Sequence, residues 1–506
     1  MEVKTGAEHL APPTEAEAFL REPYRLACQA VVVDANAPVA FSILERRLRI
    51  VVPEPERRTA PIDPAVRLID GVVHHGEDPI APRTGGMYGI AIDVGTTTVA
   101  LELVDLDDGR IVEVVALENP QRFGGSDVMN RISYDEGPSR GQLRQSLRKA
   151  INKELRQLYE RCGINRREVF EVVVVGNATM RDLFFGLDVS PIGQRPYKST
   201  TELEMLAGLR ATTALTVLAH ELGFHAHPHA RIWGAPLVAS HIGADVTADL
   251  LAVGLGESTG VSMLVDVGTN TEVVVAARGR IVAASCPAGP AFEGGDVTYG
   301  MQAAAGAIES LAIDDDGRIA YRTIDEAEPI GICGSGLIDL VAALRRSGRM
   351  SPKGVFAARA PLVEVVPEAG ITFTRADASA LAQAKAANTV GQAILLRELG
   401  IAPAEVDRLY LAGGFASFVD VDNAIEIGFL APVPTDRVVK VGNASLKGAR
   451  ELLLSVTARI AAERLVRTIE HVELETTPDF FDLFVDGCQF KPLAGGSEVE
   501  DVPLRA

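Results

Sequence analysis

The chain has 506 residues, of which 47% are hydrophobic and 23% charged, and a formal net charge of −19. That length exceeds what one hydrophobic core usually organises, so two or more lobes are expected, and the ordinary composition excludes a mainly disordered or fibrous chain. The acidic balance argues against nucleic acid as a partner, and no apolar run approaches the roughly twenty residues that a membrane-spanning helix requires.

Residues 1–52 read as a small unit, with a Pro-marked, Glu-rich helical stretch followed by strands at Leu26 to Val33 and Phe41 to Val52. Residues 53–86 are rich in Pro, Arg, Gly and Asp without periodicity, which predicts a linker. From Met87 the pattern changes. Met87 to Ile92 is an apolar run ending in Asp93-Val94-Gly95-Thr96-Thr97-Thr98, and an alternating strand follows from Val99 to Val104. The same wording returns at Ser262 to Val265, which leads into Asp266-Val267-Gly268-Thr269-Asn270-Thr271 and a second strand from Glu272. Both second strands end at Gly-Arg-Ile-Val, in Gly109 to Val112 and Gly279 to Val282. A further echo links Gly176-Asn177-Ala178-Thr179 with Gly442-Asn443-Ala444-Ser445, each after a run of valines. Helical spacing fills the intervals around Leu143 to Tyr159, Gly336 to Leu344, Ala380 to Leu399 and Ala449 to Val466. A duplicated α/β lobe is expected, with 87–250 as the first copy and 251–506 as the second.

The loops suggest the chemistry. A Gly- and Thr-rich turn between strands aims backbone N–H groups and hydroxyls at phosphate oxygens, because glycine lets the chain come close. Gly95, Thr96, Thr97 and Thr98 fit this in the first copy, and Gly268, Thr269, Asn270 and Thr271 in the second. The aspartate opening each loop suits hydrated Mg²⁺, which prefers oxygen ligands and keeps several waters, so Asp93 and Asp266 are the candidate catalytic and metal-holding residues. Two more glycine turns stand out. Arg408 to Ala412 runs into Gly413-Gly414-Phe415, where a nucleotide ring can approach the backbone; a plain strand-to-helix turn is the alternative. Cys333-Gly334-Ser335-Gly336 opens a helix whose free N–H groups favour a phosphate or ribose hydroxyl, or else is a simple cap by Ser335. Glu272 and Glu293 are conceivable bases, with hydrogen-bonded loop carboxylates as the plainer account. His220, His225, His227 and His229 lack an accompanying carboxylate pattern and read as loop or strand edge. The five cysteines, Cys28, Cys162, Cys286, Cys333 and Cys488, include no C-x-x-C pair and, without a secretory leader pattern, point to a reducing cytoplasm.

Together Asp93 to Thr98, Asp266 to Thr271 and Leu411 to Phe415 resemble the two phosphate loops and the adenosine loop of the actin and sugar kinase superfamily. The resemblance implies two ribonuclease-H-like lobes closing around ATP and Mg²⁺. Within that superfamily, Gly176 to Met180, Ala288 to Gly294 and Ile332 to Gly336 resemble the ATP-dependent reductive activators of corrinoid proteins, over nearly the whole chain. That family returns Co(II) corrinoid to the Co(I) state used in methyl transfer, so a corrinoid protein partner, and a homodimer, are further implications. Members often begin with a 2Fe–2S ferredoxin domain. Here Pro12 to Glu17 and Tyr24 to Gln29 resemble only its tail, and no cysteine precedes Cys28, so 1–52 is expected to be a remnant without a cluster. Either the domain is lost or the chain starts downstream of it. The electron then comes from an external donor. A small-molecule kinase and a nucleotide-dependent switch are the other readings that these loops allow.

Overall fold

The computed structural model describes residues 2–14, 25, 27, 29–34, 37–42, 62–239, 241–257, 259–314, 316–414 and 416–493. Cys28, Phe415, the expected N-terminal helix beyond residue 14 and the expected strand beyond residue 42 lie outside these. The chain divides into two compact units, Met1–Leu48 and Arg49–Ala506.

In the first unit β1 (Glu2–Thr5) and β2 (Ala40–Ser42) form an antiparallel pair, with Val3 opposite Phe41. The expected strand from Leu26 to Val33 is reduced, among its described residues, to a single bridge between Val32 and Leu10. The pairing goes to Glu2–Thr5, a stretch too short and too charged to show a strand pattern.

The second unit opens with a correction. Part of the expected linker is a three-stranded antiparallel sheet of β3 (Val66–Ile69), β4 (Val72–His75) and β5 (Asp78–Pro82). Its turns at Asp70-Gly71 and Gly76-Glu77 supply the glycines that look like spacer composition, while Val66 and Val73 are wholly buried in the core of the next sheet.

That sheet is built from β6 (Tyr88–Val94), β7 (Thr98–Asp105), β8 (Ile111–Glu118), β9 (Val169–Val175), β10 (Leu215–Leu218) and β11 (Arg231–Gly234), in the order β10-β11-β9-β6-β7-β8. Between them run α1 (Val128–Glu136), α2 (Gln142–Cys162), α3 (Ala178–Phe185), α4 (Thr200–Leu206) and α5 (Ala219–Leu222), and α6 (Ala244–Ala252) follows β11. Every residue of β9 is buried, as an apolar strand covered on both faces should be. In α2, Leu143, Leu147, Ile151, Leu155 and Leu158 repeat at helical spacing and form its buried stripe, and Gly163 ends it in the left-handed conformation.

The second lobe repeats the plan with β12 (Ser262–Val267), β13 (Thr271–Ala277) and β14 (Arg280–Cys286). Then come β15 (Ala307–Ile313), β16 (Ile319–Thr323), β17 (Gly331–Ile332), α7 (Gly334–Arg346), β18 (Leu362–Val366), β19 (Ile371–Thr374) and α8 (Arg375–Glu398). The chain finishes with β20 (Arg408–Ala412), α9 (Val421–Glu426), β21 (Val438–Gly442), α10 (Ala444–Leu454), α11 (Val456–Leu465), β22 (Ile469–His471) and α12 (Phe480–Gly487). Its main sheet has the order β21-β20-β12-β13-β14-β22.

Matching the two orders pairs β6 with β12, β7 with β13, β8 with β14, β9 with β20 and β11 with β21. The hairpin repeat is therefore a structural repeat. The echo between 172–179 and 438–445 is not, because β9 adjoins the central strand and β21 lies one strand further out. Both places need an asparagine to cap a helix after a strand, and that shared local need produces the likeness.

A lobe boundary at 250/251 also fails for the last helices. Leu446, Ala449, Leu452, Leu453 and Ala462, of α10 and α11, belong to the core of the first lobe, and Arg450 donates to both oxygens of buried Glu102 at 2.9 Å. In exchange, Val246 and Leu250 of α6 pack with Leu264, Val274 and Ala412 of the second sheet. The two helices cross where Gly448 meets Ala248, so closely that a Cβ on Gly448 would stand 2.0 Å from the Ala248 carbonyl oxygen. Elsewhere, His225 stacks on Tyr159 and His227 on Phe170, so the histidine-rich loop is packing. No helix among the described residues is long and apolar enough to cross a membrane.

Candidate functional site

Asp93 and Asp266 sit near the carboxyl ends of β6 and β12, in register with Val175 of β9 and Ala412 of β20. Ligands of open α/β sheets bind at such strand ends. Each aspartate leads into a hairpin turn, and the two turns meet: Thr97 Oγ1 lies 3.0 Å from Thr269 Oγ1. Both hydroxyls donate to Oε2 of Glu293, Thr97 at 2.8 Å.

The same bracing holds each turn. Asn119, after β8, donates its N–H to the Thr97 carbonyl at 2.8 Å; Gly289, after β14, donates its N–H to the Thr269 carbonyl at 2.8 Å. Asn119 Nδ2 also donates to the Gly95 carbonyl at 2.8 Å. A Cβ on Gly95 would meet the Thr98 carbonyl oxygen at 2.6 Å, so the first turn needs glycine. Thr96 is buried and accepts from Asn177 Nδ2 at 3.0 Å, while Asn177 caps α3 through the Met180 N–H. From the second half of the chain, Asn443 caps α10 through the Leu446 N–H and donates Nδ2 to Asp93 Oδ2 at 2.9 Å. The Thr271 hydroxyl is buried beside Glu272 and has no hydrogen-bond partner among the described residues.

Around the two aspartates lie carboxyls that the sequence reading did not single out. Asp249 is wholly buried and Asp245, four before it on α6, is half-buried; Ser445 Oγ donates to Asp249 Oδ1 at 2.9 Å. Burial pushes Asp93 up to about 7, against the bond from Asn443, and the Asp266 charge adds to the rise. Asp266 rises to about 6, again by burial first, with a hydrogen bond from Asp249 opposing it. Asp245 rises to about 8 through burial and the charge of Asp266. Asp249 and Glu272 are driven well above the carboxylate range by burial and then by the neighbouring aspartates. No lysine or arginine is among the groups that set any of these five.

This cluster fits a divalent cation. Among the described residues Asp249 Oδ2 is buried and accepts no hydrogen bond, and five clustered carboxyls, of which Asp249 and Glu272 are buried and none has an ion-pair partner, are held protonated or need a metal ion. The expectation for Glu272 and Glu293 as loop carboxylates holds in part: both accept hydrogen bonds, Glu272 from Ser285 at 3.1 Å, but Glu272 is buried on a strand while Glu293 is half-buried. The spacing Asp245 to Asp249 after Gly243 was the available signal for the missed pair. The bond from Asn443 to Asp93 joins residues 350 apart and left none.

Gly413 and Gly414 differ. Gly413 has φ 113° and a Cβ there would be 2.2 Å from the Val267 carbonyl oxygen, whereas a Cβ on Gly414 meets nothing within 4 Å. Gly414 thus leaves open backbone next to the second loop. Gly334, Ser335 and Gly336 are not brought to the loops by any described hydrogen bond. Cys333, rather than Ser335, is the cap residue of α7; Ser335 Oγ donates to the Glu309 carbonyl at 2.8 Å, and Gly336 makes room for the Ile308 carbonyl. Gly336 there serves the packing of α7 on β15. Cys286 and Cys333 are buried, and burial raises both thiols.

Two lobes of one sheet order, joined by crossed helices and meeting at paired Gly/Thr loops over clustered carboxylates, define an actin-like ATPase fold. Comparison with known proteins agrees. A model of the RACo middle region matches residues 88–258, and one of the C-terminal domain of RACo, the ASKHA domain, matches residues 260–495. A corrinoid activation enzyme of Eubacterium limosum is 29% identical over 89% of this chain and 77% of its own. A Co(II) methylated amine-specific corrinoid protein reductase of Methanosarcina barkeri is 25% identical over 82% of this chain and 78% of its own. The solved structure of a reductive activator for a corrinoid, iron-sulfur protein superposes with a TM-score of 0.74 at 32% identity, covering 84% of this chain and 69% of that one. The chain belongs to the family of reductive activators of corrinoid proteins.

Proposed function

We propose that this chain binds MgATP between its lobes and uses the closure and its reversal to return a corrinoid protein from Co(II) to Co(I), in the cytoplasm. One electron passes from a separate reduced donor protein to the cobalt. The observation that carries the reading is the meeting of the two Gly/Thr turns, each led into by its aspartate, Asp93 and Asp266, with Asp93 bonded to Asn443 at the start of α10.

Asp93 and Asp266 would hold Mg²⁺ through its waters, with Asp249 Oδ2 as the further buried oxygen; the ion supplies positive charge against the phosphoryl oxygens. The N–H groups and hydroxyls of Gly95 to Thr97 and Gly268 to Thr269 orient the phosphates, and the open backbone at Gly414 receives the adenosine. Asp245, on the first turn of α6, would order a water against the reacting phosphoryl group. Rigid-body rotation of one lobe on the other is carried by the α6/α10 crossing, which ties each lobe's core to the opposite half of the chain.

The test mixes the purified chain with a Co(II) corrinoid protein and an external reductant and follows the Co(I) absorbance. The expected result is Co(I) formation that requires both ATP and Mg²⁺. Equal Co(I) formation without ATP, or hydrolysis with no corrinoid response at any reductant strength, overturns the reading.

A further inference from the structure

Glu293 lies on the segment after β14 in the second lobe, yet its carboxylate holds a hydroxyl from each lobe. One oxygen, Oε2, accepts from both Thr97 and Thr269. Each hydroxyl has a single proton to give, so both are committed to the same acceptor. These are also the two hydroxyls through which the paired turns can seize one phosphoryl oxygen.

We propose that Glu293 makes this site distinguish a nucleoside triphosphate from a diphosphate: its carboxylate is a resident competitor that only a phosphoryl group bridging Thr97 and Thr269 displaces. The inference rests on the MgATP reading above and deepens it. Carboxylate and phosphoryl oxygens are both anionic acceptors, and two of them sharing these donors repel at close range. A phosphate gripped by one turn alone leaves Glu293 seated. The terminal phosphoryl group, taken by both turns, does not.

The surroundings suit a group that moves. Burial raises the Glu293 carboxyl, and Arg131 is the cation whose field counters this. Arg131 is itself 1% exposed, held by the Gly125 carbonyl at 3.0 Å and the Met180 sulfur at 3.1 Å, with no carboxylate in ion-pair contact among the described residues. A displaced Glu293 therefore has a buried positive charge to turn toward. Its segment is anchored at both ends: Gly289 bonds the Thr269 carbonyl, and Thr298 donates its N–H and hydroxyl to Asp377 at 2.8 and 2.9 Å, at the start of α8. Phe292 rests edge-on against Phe429, 4.9 Å between centroids. Release of Glu293 thus reaches α8 and the core of the second lobe, which makes it a positioning residue for closure.

The experiment is calorimetric titration of the full chain with Mg²⁺ and either ADP or a non-hydrolysable ATP analogue, in wild type, Glu293→Ala and Glu293→Asp. Removing the competitor should tighten the triphosphate by roughly tenfold or more and leave ADP within about twofold. Glu293→Asp, one methylene too short to reach both hydroxyls, should move the same way and serves if the alanine variant fails to fold. Equal shifts for both nucleotides, or weaker triphosphate binding, overturn the proposal while leaving the ATP site standing. If wild type binds neither nucleotide, the ATP site falls and the proposal with it.

Discussion

Gly176 and Gly413 are counterparts: each ends the strand beside a loop aspartate, each has positive φ, and each presses on the carbonyl of the residue after that aspartate. A Cβ would stand 2.6 Å from the Val94 oxygen at Gly176 and 2.2 Å from the Val267 oxygen at Gly413. Both loops are thus set from behind by a neighbouring strand end. Gly413→Ala should cost about 2 kcal/mol or more in stability and weaken ATP binding, since strain and clash add. Gly414→Ala, in open space, should keep the wild-type melting temperature and weaken ATP alone. Thermal melts with parallel titrations decide; equal melting losses at both positions would refute the distinction.

The carboxyl cluster predicts an unusual pH response. Its folded-state pKa values lie above those of free aspartate, with Asp93 raised to about 7 and Asp245 to about 8. Between the unfolded and folded values the native state binds more protons, so the cluster's contribution is full below about pH 4 and is lost as pH rises to about 8. Mg²⁺ prefers the ionised groups and should oppose this loss. The rise in melting temperature on adding Mg²⁺ should therefore be larger at pH 8 than at pH 6; a constant rise would count against a metal ion at these residues.

Asp93→Asn and Asp266→Asn should each lower Mg²⁺-dependent ATP hydrolysis by about 100-fold or more, the scale seen when a preorganised electrostatic group is removed. Stability should hold or increase, because one buried charge leaves a repelling cluster and, in the Asp93→Asn variant, the amide carbonyl can still accept from Asn443. Steady-state hydrolysis and melting, measured on the same preparations, test both halves. A marked loss of stability would show instead that these aspartates are structural.

At the helix crossing, Gly448→Val places a branched side chain where even a Cβ comes within 2.0 Å of backbone. The helices must separate, at a cost of about 1–3 kcal/mol, and ATP-driven Co(I) formation should fall more than ATP binding does. A variant with unchanged coupling would show that the crossing does not transmit closure.

What the sequence displayed, it displayed locally. The turns at Asp93 to Thr98 and Asp266 to Thr271 carry their glycines and threonines within six residues, so a reader of the chain finds them, and their repetition exposes the duplicated lobe. Asp245 and Asp249 were hidden because two acidic residues on a helix look like a solvated face until the packing of α6 against the second sheet buries Asp249 and half-buries Asp245. The bonds from Asn443 to Asp93 and from Thr97 to Glu293 depend on how the halves assemble, which no window of sequence contains. The valine-plus-Gly-Asn echo misled for the opposite reason: helix capping repeats the same residues wherever a strand turns into a helix. The short strands at 66–82 were mistaken for spacer because tight turns and linkers draw on the same amino acids.

The placement of Leu446, Ala449, Leu452 and Leu453 in the core of the first lobe has a consequence for biosynthesis. While the ribosome is still making the second lobe, the first sheet has one face without its final helix, and the chain must emerge past residue 454 before that face is covered. The nascent protein thus carries an unfinished apolar surface through nearly half of its synthesis. A fragment stopped after α6 would keep that surface permanently, so the first half is a region of sequence but not an independent folding unit.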